Sequence, residues 1–179
     1  MEKHKHIINL SEVPLEKINA PEGSVFGGTR RRVGAHTGAQ KLGYSFFYVP
    51  PGKAAFPLHT HTGNEEMIYV IEGEGVLRFG KEELTVAPGT IVACPVGAEY
   101  PHQLINTGTD ELRYLVVSTM DFPDLCEYPD SNKVGAYGTA AVGPQVGLRA
   151  LYRRDQNVNY YDGEDGKEIA RIIKSASGS

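Results

Sequence analysis

His59-Thr60-His61 sets two imidazoles one residue apart, and the carboxylates Glu65 and Glu66 follow directly after Thr62-Gly63-Asn64. In an extended chain alternate side chains share a face, so His59 and His61 point the same way. Imidazole suits Zn, Cu, Fe and Ni, and a carboxylate widens the range to Mn and other harder ions. A further imidazole, His102, comes just after the turn-forming run Pro95-Val96-Gly97. Three histidines and one carboxylate can therefore converge on one divalent ion, provided that strands and turns bring two separated stretches together.

The elements able to do so are short strands punctuated by Gly and Pro. Tyr44 to Val49 is rich in aromatics and stops at Pro50-Pro51-Gly52. Met67 to Ile71 is apolar on both faces and stops at Glu72-Gly73, so both of its faces should be covered. Val76 to Phe79, Leu84 to Val86 and Ile91 to Cys94 are separated by Gly-bearing turns, as in hairpins. Leu104 and Ile105 follow His102, and Leu112 to Val117 supplies a last β-branched strand. The pattern predicts an all-β fold of about eight strands, closing as a jelly roll whose mouth can hold a ligand. Pro123 to Gly166 shows little periodicity and reads as an ordered arm or loop region. Only Lys167 to Lys174 reads as helix, with Ile169, Ile172 and Ile173 on one face.

The spacing around the candidate ligands resembles the cupin motifs. Gly52, His59, His61, Glu66 and Gly73 follow the first, Gly-x(5)-His-x-His-x(3 or 4)-Glu-x(6)-Gly, with six residues rather than five after Gly52. Gly89, Pro95, Gly97, His102 and Asn106 echo the second, with four residues rather than two between Gly97 and His102. The resemblance, strongest from Tyr44 to Ser118, implies a cupin double-stranded β-helix with extended terminal arms and a short C-terminal helix. It divides the chain into an N-terminal arm with strands (1–43), a barrel core (44–118) and a C-terminal extension (119–179). The ligand set it implies is His59, His61, Glu66 and His102. The distance to Gly73 and the shared face of Glu66, Ile68 and Val70 favour Glu66 over Glu65. Tyr128-Pro129-Asp130-Ser131 and Tyr160-Tyr161-Asp162-Gly163-Glu164 look like a single-barrel subfamily, some members of which are labelled sugar-phosphate isomerase-like.

The rest of the chain sets bounds. Its 179 residues suit one domain, with 40% hydrophobic and 22% charged residues. No stretch approaches the roughly 20 apolar residues needed to cross a membrane. The run Ile7-Ile8 is too short for a secretory signal, so a cytoplasmic location is expected. Cys94 and Cys126 form no disulfide framework and read as reduced, Cys94 as buried and inert. A net charge of -4 argues against nucleic acid despite Arg30-Arg31-Arg32, which reads as a solvated loop or partner contact. His4 and His6 read as exposed, and His36 as a loop residue.

Around the ligands, Gln103 and Asn106 are the polar neighbours of His102, with Asn106 capping its own turn. Tyr48, Tyr69 and Tyr100 are expected to pack rather than bind substrate. Arg78, Lys53 and Arg113 are the candidates for an anion anchor, although no spacing places them inside. No catalytic acid or base is assigned. The functions in contention are a metal-dependent small-molecule enzyme such as a sugar or sugar-phosphate isomerase, an iron dioxygenase, and a binding cupin without turnover. The ion is Zn, Fe, Mn or Ni, the partner a small molecule, and the exposed strand face and terminal arms predict a homodimer.

Overall fold

The structure is a computed structural model, and it describes residues 4–138 and 147–177. Thirteen strands run in chain order: β1 (Glu16–Lys17), β2 (Thr29–Arg32), β3 (Leu42–Val49), β4 (Thr60–His61), β5 (Glu66–Glu72), β6 (Gly75–Phe79), β7 (Glu82–Val86), β8 (Ile91–Cys94), β9 (His102–Ile105), β10 (Leu112–Thr119), β11 (Asp124–Tyr128), β12 (Lys133–Tyr137) and β13 (Arg149–Arg153). One helix, α1 (Lys167–Ala176), follows them.

Two antiparallel layers face each other. One is the sheet β1-β2-β3-β10-β5-β8. The other is made of β13-β12-β11-β4 and β7-β6-β9, joined where His59 and His102 exchange both backbone hydrogen bonds, at 3.2 and 2.8 Å. Alternation along each strand turns one set of side chains into the space between the layers. Phe47, Val49, Ile68, Val70, Leu112 and Tyr114 come from the first sheet and Leu77 and Leu104 from the second, all of them buried in one core cluster. The mostly β, antiparallel jelly roll with one short C-terminal helix is the architecture the motifs predict.

Three expectations change. Arg30-Arg31-Arg32 is not a solvated loop but lies in β2 between β1 and β3, with Arg30 and Arg32 3.6 and 2.8 Å from Glu16. The arm from Pro123 onward is not loop alone, since β11 and β12 form a hairpin around a turn in which Asn132 adopts φ 48°, and β13 extends it. Its inward positions, Asp124, Cys126 and Tyr128, are polar or polarisable, which hides the strand from a search for apolar alternation. The outer side of β5 is also less covered than its composition suggests: Tyr69 is 37% exposed and Ile71 39%. Among the described residues no helix is long and apolar enough to cross a membrane.

Candidate metal centre

His59 and His61 flank buried Thr60, whose hydroxyl donates to the Gly97 carbonyl at 2.6 Å. The Gly97 amide donates in turn to the His61 carbonyl at 2.9 Å. The Pro95–Tyr100 turn is thereby pinned against β4, with Gly97 at φ 124°, a conformation side chains rarely adopt. Its two extra residues are taken up while His102 stays in register, paired with Phe79 across β9 and β6. His59, His61 and His102 thus come from one layer and Glu66, at the start of β5, from the other.

Nitrogen and oxygen atoms of His59, His61 and Glu66 lie within 4.8 Å of one another. His102 joins them through Glu66, its Nε2 standing 3.1 Å from Oε2, while His61 Nε2 stands 3.8 Å from Oε1. The ring centroids of His59 and His102 are 4.8 Å apart. Each imidazole has its Nδ1 engaged by an oxygen: His59 by the Pro57 carbonyl at 2.9 Å, His61 by the Asp124 carboxylate at 2.6 Å, and His102 by the Tyr100 carbonyl at 3.1 Å. An Nδ1–H donated to those acceptors leaves each Nε2 lone pair free for a cation, the arrangement common around metal-bound histidine. The donor set therefore fits a divalent first-row ion. Glu65 is exposed and lies on the opposite side of the strand.

The electrostatics agree with a site built around positive charge. Burial works against the charge on Glu66, but the hydrogen bond from His102 and the neighbouring imidazoles outweigh it and hold its carboxyl below the usual range. Burial also opposes protonation of His61, yet the contacts with Asp124, Cys126 and Glu66 prevail and raise it to about 10. His102 is raised to about 10 by Cys94 and Glu66, again against burial. His59 goes the other way: burial first, and the charge of His102 second, push it down to about 4. Without a cation, Glu66 and Asp124 are thus balanced by protons on His61 and His102.

Asp124 was missed from the sequence. It is 3% exposed, accepts a further hydrogen bond from the Gly63 amide at 2.9 Å, and reaches His61 only because β11 pairs with β4. The period-two run Asp124, Cys126, Tyr128 was the available signal. Both cysteines are free and buried, Cys94 as expected, but neither is remote: Cys126 Sγ lies 3.2 Å from His61 Nδ1, and Cys94 contacts His102.

A cavity of about 80 Å³ adjoins the cluster, lined by Phe47, Phe56, Ile68 and Tyr114 among others. Of the tyrosines singled out by sequence, Tyr48, Tyr69 and Tyr100 do not line it. Tyr114 does, and the Tyr128 ring stacks at 6.1 Å over His59 with its hydroxyl 3.0 Å from that of Tyr137. Arg113 is committed to Glu72 and Glu111 at 2.7 and 2.9 Å on the outside. Lys53 and Arg78 line a different cavity. Gln103 donates to the Phe56 carbonyl and accepts from Arg78. Asn106 is fully buried and does more than close its turn, donating to the Val49 and Asp110 carbonyls while accepting from the Gly108 amide. His4, His6 and His36 are exposed.

Residues 45–118 match the Cupin domain family. The chain is 32% identical over 69 residues to a Thermotoga maritima protein named oxalate-binding protein, a match covering 38% of this chain and 54% of that one. It therefore spans about half the length of the curated relatives it matches. An Acidithiobacillus ferrooxidans structure, assigned by name alone to the sugar phosphate isomerases, superposes with a TM-score of 0.66 at 26% identity, covering 74% of this chain and 80% of that one. A Silicibacter pomeroyi structure named as a sugar phosphate isomerase from a cupin superfamily reaches a TM-score of 0.72 over 87% of this chain and 98% of its own; at 24% identity this likeness bears on the fold. Residues 45–118 thus match a cupin domain, and the two-layered roll formed by the described residues resembles these solved structures in fold.

Proposed function

We propose that this protein binds one divalent transition-metal ion through His59, His61, Glu66 and His102 and uses it on a small molecule, with isomerisation of a sugar or sugar phosphate as the leading reaction. The observation that supports it most is that all three imidazoles are tied at Nδ1 to an oxygen while His61 and His102 turn Nε2 toward Glu66 and His59 lies within 4.8 Å of the His61 and Glu66 donors. When bound, the ion supplies Lewis acidity to a ligand oxygen. The likeness to structures named as sugar phosphate isomerases supports that substrate class.

The chain's own residues divide the remaining tasks. Asp124 holds the His61 ring, and Phe47, Phe56 and Ile68 exclude water. Burial, and secondarily the charge of Glu66, hold the Tyr114 phenol well above its usual range, so it stays protonated and can donate a hydrogen bond to a ligand oxygen. The confined cavity favours a second reading, binding of a small anion without turnover, which the name of the Thermotoga relative also suggests. Dioxygenase chemistry uses the same ligands and is distinguished by oxygen uptake.

The test joins metal analysis of protein purified without chelator to an NMR screen of aldose and ketose phosphates. About one ion per chain and interconversion abolished in His102→Ala are expected. Binding without conversion selects the second reading, oxygen consumption with loaded iron selects the dioxygenase, and absence of any ion sinks all of them. We further infer a homodimer, supported by the unpartnered apolar positions Tyr69, Ile71 and Ile91 on the outer face and Ile169, Ile172 and Ile173 on α1.

A further inference from the structure

A second cavity, of about 210 Å³, lies on the other side of the β7-β6-β9 sheet from the metal cluster. In the register of β6 with β9, Leu77 pairs with Leu104 and both enter the core, so the adjacent pair Arg78 and Gln103 turns outward. Gln103 borders both cavities, and the layer of the sheet separates them.

The walls are fixed by backbone. Phe26 bridges to Ala54 and Ala54 to Ile105, while the Gly27 amide donates to the Ala54 carbonyl at 2.9 Å and the Ala54 amide to the Val25 carbonyl at 3.0 Å. Val25, Phe26, Ala54 and Ile105 give the crevice an apolar lining. Arg78 makes a two-pronged contact with Asp130 at 2.7 and 3.1 Å and donates to the Gln103 side-chain oxygen at 2.9 Å. The half-buried Lys53 ammonium donates to the Ser24 carbonyl at 2.6 Å, and among the described residues no carboxylate pairs with it. Arg78 is answered by Asp130 and, from the neighbouring strand, by Glu83, whereas Lys53 keeps its charge without a carboxylate beside an apolar surface.

We propose that this crevice is a second ligand site, taking a small organic carboxylate with a compact apolar body. Lys53 meets the carboxylate at one side and Arg78 reinforces it without having to release Asp130, while the body lies against Phe26, Ala54 and Ile105. A few charged groups set beside a preformed apolar wall are the usual composition of small-molecule sites. The site is independent of the chemistry proposed for the metal cluster.

Benzoate titrated into the full-length protein, followed by amide NMR, tests it. Saturable shifts are expected at Lys53, Ala54 and Arg78, with benzamide, which lacks the charge, producing none. Lys53→Gln should weaken benzoate at least fivefold, and Lys53→Arg should restore it. Shifts confined to the surroundings of His59 and His102, a benzamide response equal to that of benzoate, or unchanged affinity in Lys53→Gln would each overturn the proposal.

Discussion

Asp124 illustrates how much a single side chain can add to the proposed ligand set. It fixes the His61 tautomer and compensates its charge, so Asp124→Asn, which keeps the shape and loses the carboxylate, should lower metal affinity roughly 10- to 100-fold. Competition titration with a coloured chelator reads that directly. Glu66→Gln should empty the site more severely, whereas Glu65→Ala should leave metal content unchanged because Glu65 is exposed. Equal losses at the two glutamates would refute the assignment of Glu66. Protons provide a second check. Metal must displace those on His61 and His102, both raised to about 10, but not one on His59, held near 4. Loading at pH 7.5 should therefore release about two protons per chain, measurable by calorimetry in buffers of differing ionisation heat.

Close approach of strands matters most at the element scale. A Cβ on Gly75 would collide with the Ile105 carbonyl across β6 and β9, and it would meet the Leu112 side chain at 3.2 Å. Neither backbone nor packed leucine can yield cheaply, so Gly75→Ala should destabilise the fold on the order of 2 to 4 kcal/mol by chemical denaturation. The β11–β12 hairpin is coupled to the site for a different reason. β11 supplies Asp124 and Cys126 and pairs with β4 through Cys126 and His61. Shortening the extension before Asp124 should thus impair metal binding even where the barrel core survives.

For the molecule as a whole, the two imidazolium contacts make metal-free stability depend on pH. Both folded values are raised above the ordinary 6.5, so their stabilisation is complete below about 6.5 and is lost as pH rises through about 10. The metal-free protein should melt progressively lower across that window, and bound metal should reverse the trend because its affinity grows as protons leave. Association belongs at this scale too. If the outer β5–β8 face and α1 are covered by a second copy, Ile172→Asp should shift the sedimentation mass from two chains toward one. A wild-type mass of one chain at all concentrations would exclude the dimer.

Much of this protein was legible in its residues. His59-x-His61, Glu66, His102 and the glycines around them specify strands, turns and a donor set through local rules of alternation and backbone conformation, which need no knowledge of distant contacts. The C-terminal strands were not legible, because their inward side chains face a polar site rather than a core. Nor was Asp124, 63 residues from His61, since pairing of β11 with β4 alone makes them neighbours. Only the closed fold decided that Arg78 and Lys53 share an outer crevice and that Tyr114 faces the inner one. Strand register assigns each side chain to a face, and register between remote strands is a property of the assembled sheets.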